Sequence, residues 1–336
     1  MSPTLRRTSS LGFGLLLALT AAAGADLQLT GPFTHQNLTI YLIRGNPAAK
    51  SKLLPLQQAM AANKVVVYET GTVSELAIEN RSAEDVYVQA GDIVKGGQQD
   101  RVLTTDLILP AHSGKMPIQS FCVEEGRWTK RGVEPDRQFS TSTQGVPSKD
   151  LKLALRKPGA QAEVWLGVAR AVMTLASLPA AVAPPPASAK SASSTSMQLA
   201  MEANPVVQAT GPYLNALSKI VSSQPDATGY VYAINGEINS AEVYASPDLF
   251  QRMWPKLLQT SATEAATEKS KTKSTVPPAL TAVKAVLADV DRANPASTQP
   301  AGRSTVLRKE SAKVVMFETH DPKQGGAWIH RSYVVK

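Results

Sequence analysis

Between residues 38 and 128 the chain alternates short runs of β-branched and aromatic residues with polar turn clusters. The runs are LTIYLIR (Leu38 to Arg44), KVVVYET (Lys64 to Thr70), ELAIEN (Glu75 to Asn80), DVYVQA (Asp85 to Ala90), RVLTTDLIL (Arg101 to Leu109) and KMPIQSFCV (Lys115 to Val123). Branched side chains pack well on a pleated surface, and clusters such as NRSAE and PAHSG supply reversals, so the pattern predicts strands. Their regular spacing points to an antiparallel sandwich or a partly closed barrel. One short helix, LPLQQAMAAN (Leu54 to Asn63), interrupts the series.

From Gln161 the period lengthens. QAEVWLGVARAVMTLAS places Val164, Val168, Val172 and Leu175 on one helical face, and YLNALSKIVSS (Tyr213 to Ser223) predicts a second helix. GYVYAINGEINSAEVYAS returns to strands around Asn235-Gly236, a pair suited to a type I′ turn because both central residues need positive φ. Ser246 is then the expected N-cap of a helix with Pro247 at its first position, while Pro255 should kink or stop it. Trp254 and Leu257 on that helix read as core. KVVMFETH, DPKQGG and AWIHRSYVV predict a terminal hairpin whose last strand lies at a sheet edge. The class implied is α+β, with a β-rich sandwich or partly open barrel core, flanking helices and C-terminal hairpins.

The N-terminus adds a different signal. MSPTLRRTSS carries Arg6 and Arg7, LGFGLLLALTAAA is a short apolar run, and AGA ends at Ala25, the order of a secretory leader. Cleavage near Ala25 is expected, giving an exported chain. General secretion fits better than twin-arginine export, since Ser9 and Ser10 stand where the latter has bulky apolar residues. Residues 26 to 336 are expected to form a single domain. LPAAVAPPPASAKSASSTS is read as a low-complexity insertion at about 179–195, and TEKSKTKSTVPP as a second mobile loop at about 267–278, because neither can bury enough apolar surface to offset ordering.

Charge and residue usage then remove several classes. The formal net charge of +8 falls to about +6 without the two leader arginines, and the basic residues are scattered with little aromatic interleaving, so nucleic acid is an unlikely partner. No later run approaches the ~18 apolar residues of a membrane span. One cysteine, Cys122, excludes an intrachain disulfide and any paired-cysteine site. The four histidines show no zinc-ligand spacing, and no cofactor or metal is evident.

Two segments concentrate polar chemistry. In GGQQDR, Gly96 and Gly97 precede Gln98, Gln99, Asp100 and Arg101. A phosphate loop would lead into a helix with Lys near the last glycine, whereas here a strand follows. The alternatives are a structural turn or bulge, and a corner where backbone access and four polar side chains meet a ligand. FCVEEGRW brings Cys122, Glu124, Glu125, Arg127 and Trp128 together. Strand alternation puts Cys122 and Glu124 on one face, with Phe121, Val123 and Glu125 on the other. A thiol beside a carboxylate is a poor nucleophile, so Cys122 reads as a small buried hydrophobe, and His112 could activate it only if its turn folded back. In the last strand, Ile329, Arg331 and Tyr333 share one face and His330, Ser332 and Val334 the other; His330 or Arg331 could reach the same site.

These blocks, with AEVWLGVA, SSTS, GYVYAINGEINSAEVYASPDLFQRMWPKLL and GAWIHRSYV, resemble the bacterial domain family named for its association with ARG, rhodanese and phosphatase-superfamily proteins. The resemblance runs from about Leu38 to Val335 and implies that the proline-alanine-serine stretch is inserted within one domain. It implies a boundary and no mechanism. Two functions stay open: an exported module binding a small ligand, glycan or protein partner through GGQQDR and CVEEGRW, or a hydrolase with Glu124 or Asp100 as general base and Arg101 or Arg127 stabilising negative charge.

Overall fold

The computed structural model describes residues 28–45, 52–179, 193–269 and 275–336. The expected leader, residues 180–192 of the expected insertion and residues 270–274 of the second loop lie outside the described residues. Among the described residues, 17 strands form three sheets and seven α-helices flank them.

The largest sheet begins with the hairpin of β1 (Gln28–His35) and β2 (Leu38–Arg44). β2 pairs with β12 (Ala227–Ile234), across most of the chain, and β12 continues through the Asn235-Gly236 turn into β13 (Glu237–Tyr244). Both turn residues have positive φ, 53° and 80°, as that pair requires. β13 joins β17 (Ala327–Val335), followed by β16 (Val314–Asp321), β15 (Ser304–Glu310) and β14 (Pro295–Ala301). Alternation along β2 explains why it is buried on both faces. Leu38, Ile40 and Leu42 pack with Phe250, Met253 and Trp254 of the helix Pro247–Thr267, whereas Tyr41 and Ile43 pack with Val283, Leu287 and Val290 of the helix Leu280–Asp291.

The second sheet contains β4 (Val65–Thr72), β5 (Glu75–Asn80), β7 (Ile93–Gly96), β8 (Arg101–Leu103), β10 (Gly114–Cys122) and β11 (Phe139–Thr141), in the order β11-β7-β8-β10-β5-β4. Its outer strands meet: Tyr68 bridges Gln138, and the Glu69 N–H donates to the Arg137 carbonyl at 3.1 Å. Six strands thus wrap into a nearly closed barrel, filled by Val65, Val67, Leu76, Ile78, Val94, Leu103, Ile118 and Phe139. A third, small sheet joins β3 (Leu54–Pro55), β6 (Val86–Val88) and β9 (Leu107–Leu109).

Several expectations are corrected. The run Arg101–Leu109 divides between the barrel and the small sheet, because Asp106 turns inward and accepts the Ala90 N–H at 2.7 Å. The helix expected at Tyr213 starts earlier, spanning Asn204–Leu217, and ends in a 3₁₀ turn at Ser218–Ile220. The Pro247–Thr267 helix, capped by Ser246, does not stop at Pro255. An internal proline costs about 3 kcal/mol, and the long buried face made by residues such as Leu249, Phe250, Leu257 and Leu258 outweighs it. The last strand is not an edge: β17 lies between β13 and β16, which is why His330 is fully buried.

Candidate functional site

β7 ends at Gly96 and β8 begins at Arg101, so GGQQD is the reversal between two barrel strands. Gly96 and Gly97 have φ of 115° and 50°, and a Cβ at Gly97 would lie 2.4 Å from Phe139 Cζ, a fit open only to glycine. The turn aims Asp100 inward, where it is 0% exposed. Its Oδ1 accepts the Gly96 N–H at 2.9 Å and Arg131 Nη2 at 3.1 Å; its Oδ2 accepts Arg131 Nη1 at 3.0 Å and the Ser196 hydroxyl at 2.7 Å.

Glu124, equally buried, completes the cluster. Its Oε2 accepts the Asp100 N–H at 3.1 Å and lies 2.7 Å from Arg127 Nε, while its Oε1 lies 3.2 Å from Arg131 Nη1. Arg127 also donates to the carbonyls of Gly96 and Gly97 at 3.0 and 2.9 Å, and Arg131 Nη2 donates to Glu134 at 3.0 Å. Regular β10 pairing ends at Cys122, and Glu124 instead bridges Ser196, the N-cap of the helix Met197–Glu202. The sequence blocks therefore converge as expected, but in a largely buried ion-pair clasp that ties the turn, the strand end, the 127–134 loop and a helix start. Both carboxylates are saturated by arginines, so neither presents a free base. Burial raises the Cys122 thiol pKa, and the thiol donates to the Glu124 carbonyl at 3.1 Å, as suits a packing residue.

Arg101 is the most deeply buried of these arginines. It is 0% exposed, and Nη1 donates to the backbone and side-chain oxygens of Gln99 at 3.1 and 3.2 Å. Nε and Nη2 have no hydrogen-bond partner, and the nearest carboxylate oxygen, on Glu69, is 3.8 Å from Nη2. That Glu69 oxygen is occupied by the Gln98 N–H at 3.1 Å. Burial pulls the Arg101 pKa below its usual value. Over this guanidinium, 5.7 Å from Cζ, lies the indole of Trp128, which is 43% exposed. Two further buried acceptors without partners belong to the same turn and loop, Gln98 Oε1 and Glu134 Oε2.

His330 and Arg331 are not part of this cluster. The two ring nitrogens of His330 lie 3.0 Å from an Asp106 oxygen and 2.8 Å from a Glu242 oxygen, in a separate buried network completed by Arg156 on Asp106 at 3.1 Å. Arg331 pairs with Glu318 and covers Trp328. Arg131, Glu134, Glu69 and Ser196 were missed by sequence reasoning. Ser196 had a usable signal as a helix cap; Glu69 and Arg131 had none, because only closure of the barrel brings them here. Among the described residues no helix is long and apolar enough to cross a membrane.

Neither the curated proteins nor the solved structures compared with this chain give a match. A family model does match, over residues 26–334, and that span includes the barrel, the clasp and the eight-stranded sheet. The chain belongs to the ARG and Rhodanese-Phosphatase-superfamily-associated Protein domain family.

Proposed function

We propose that the protein is an exported ligand-binding module whose contact surface is the barrel corner formed by GGQQDR and CVEEGRW, and that its ligand is a small, neutral, hydroxyl-rich molecule such as a saccharide. The observation that carries this reading is the fully buried Arg101 guanidinium with unpartnered Nε and Nη2 groups. Buried donors are nearly always satisfied, so such a group is a candidate contact for something that arrives from outside. The acceptors at Gln98 and Glu134 call for donors, and a hydroxyl both donates and accepts. Arg101, Arg127 and Arg131 face Glu69, Asp100, Glu124 and Glu134, an excess of acid that disfavours an anion. Trp128, 43% exposed, offers an aromatic face for the apolar side of a sugar ring, and contact with Arg101 beneath it requires the indole to shift.

A screen of neutral oligosaccharides against the mature protein, read by tryptophan fluorescence and calorimetry, tests the reading. Saturable binding is expected, lost in Trp128→Ala and weakened at least about tenfold in Gln98→Ala, the scale of a buried hydrogen bond. Binding that survives both substitutions, or its absence across the screen, removes this corner as the site. The saturation of Asp100 and Glu124 by arginines supports binding over hydrolysis.

A further inference from the structure

A cleft of about 270 Å³ opens against the barrel, where β5 and β10 meet the Leu155–Gly159 turn and strands β14 to β16. Its lining is polar and unequally charged: Arg156, Lys157 and Arg308 are present against one acid, Glu75. The carboxylates that pair with these cations, Asp106, Glu163 and Glu310, do not line the cleft. Arg156 is the fixed member, with a side chain only 10% exposed, Nη2 committed to Asp106 and the guanidinium 4.5 Å from the centre of the Phe317 ring. The second, independent observation is Ser120. It lines the cleft, is 1% exposed, and its hydroxyl has no hydrogen-bond partner.

We propose that this cleft is a second ligand site, for a small phosphate-bearing molecule, with Arg156 as the preset anchor, Lys157 and Arg308 as mobile counter-charges at the rim, and the Ser120 hydroxyl donating to a ligand oxygen. A planar guanidinium held in place loses little freedom when it meets a phosphate, and flexible rim cations add attraction that salt screens. Phe317 and Leu155 supply an apolar wall for the carbon skeleton. The residues are separate from those at the Trp128 corner, so the two sites stand or fall independently.

Isothermal titration with glycerol phosphate, and with glycerol as the neutral control, tests the assignment. The expected result is saturable binding of glycerol phosphate that weakens with added salt, and none of glycerol. Arg308→Gln and Ser120→Ala should each weaken it roughly tenfold, as expected for a lost hydrogen bond to a charged group. Trp128→Ala should leave it unchanged. Ser120→Ala should keep or raise the melting temperature, because deleting an unpartnered buried hydroxyl removes a desolvation cost. Absence of saturable phosphate binding overturns the proposal, as does binding indifferent to both substitutions.

Discussion

At the scale of single residues, Asp100 shows how a side chain can be legible in sequence and still change meaning in the fold. Its place in GGQQDR marked it as a candidate base or contact, and its convergence with Glu124 and Arg127 follows from charge on adjoining strand ends. What no local pattern carried was Arg131, which forks onto both Asp100 oxygens from a loop without strand or helix periodicity. With that partner, removal of the acid leaves buried arginines uncompensated. Asp100→Ala is therefore expected to cost about 3 kcal/mol or more, the range for breaking a buried ion pair, measured by denaturant unfolding. A change within about 0.5 kcal/mol would mean the clasp contributes nothing to stability. Cys122 gives the opposite case: its reading as a buried hydrophobe needed only the neighbouring acid and strand, and thiol-reactive probes should label it only on unfolding.

Elements were legible where local chemistry dictates them. The Asn235-Gly236 hairpin and the Ser246 cap, whose hydroxyl accepts the Leu249 N–H at 3.4 Å, depend on residues within a few positions of each other. Elements whose existence depends on distant partners were missed or misplaced. β1, β14 and β15 carry Gly, Pro, Thr, Ser and charged residues, and they are strands because neighbouring strands pair with them. The GGQQD reversal combines both kinds of control, since positive φ is local while the closeness of Phe139 comes from β11 across the barrel. Gly97→Ala should accordingly destabilise by more than the ~1 kcal/mol of an ordinary glycine exchange, because the added carbon meets both a strained φ and the Phe139 ring. Thermal melting of Gly97→Ala against the control Gly71→Ala, where positive φ also holds but no atom lies within 4 Å, separates the two causes. Equal losses would leave only backbone strain.

The whole molecule is joined by a network that no segment announces. Asp106 lies between β8 and β9, Glu242 on β13, Thr319, whose hydroxyl donates to Asp106 at 2.9 Å, on β16 and His330 on β17; Arg156 follows the helix Lys149–Ala154. All three sheets thus meet around one buried imidazole. Its two ring nitrogens each face a carboxylate, an arrangement that favours the doubly protonated imidazolium. Burial alone would lower its pKa, but hydrogen bonding to the Asp106 and Glu242 carboxylates outweighs that and raises it, while the Arg156 charge and His330 hold Asp106 well below the usual carboxylate range despite burial. The signs set the pH window. A raised histidine pKa contributes stability that is complete below the unfolded value, about 6.5, and is lost as pH rises through the folded value. The depressed Asp106 contributes above its unfolded value, about 3.9, and fails only as pH falls toward its folded value. The junction should therefore be strongest at mildly acidic pH. His330→Gln tests this, since it keeps hydrogen-bonding groups but cannot carry the charge. The stability difference between parent and variant should be about 3 kcal/mol or more near pH 5 and shrink steadily as pH rises past neutrality. His320, whose pKa is raised by Glu318, contributes equally to both proteins and cancels. A difference that stays flat from pH 5 to pH 9 would mean that His330 is held neutral and that the three sheets are joined by packing alone.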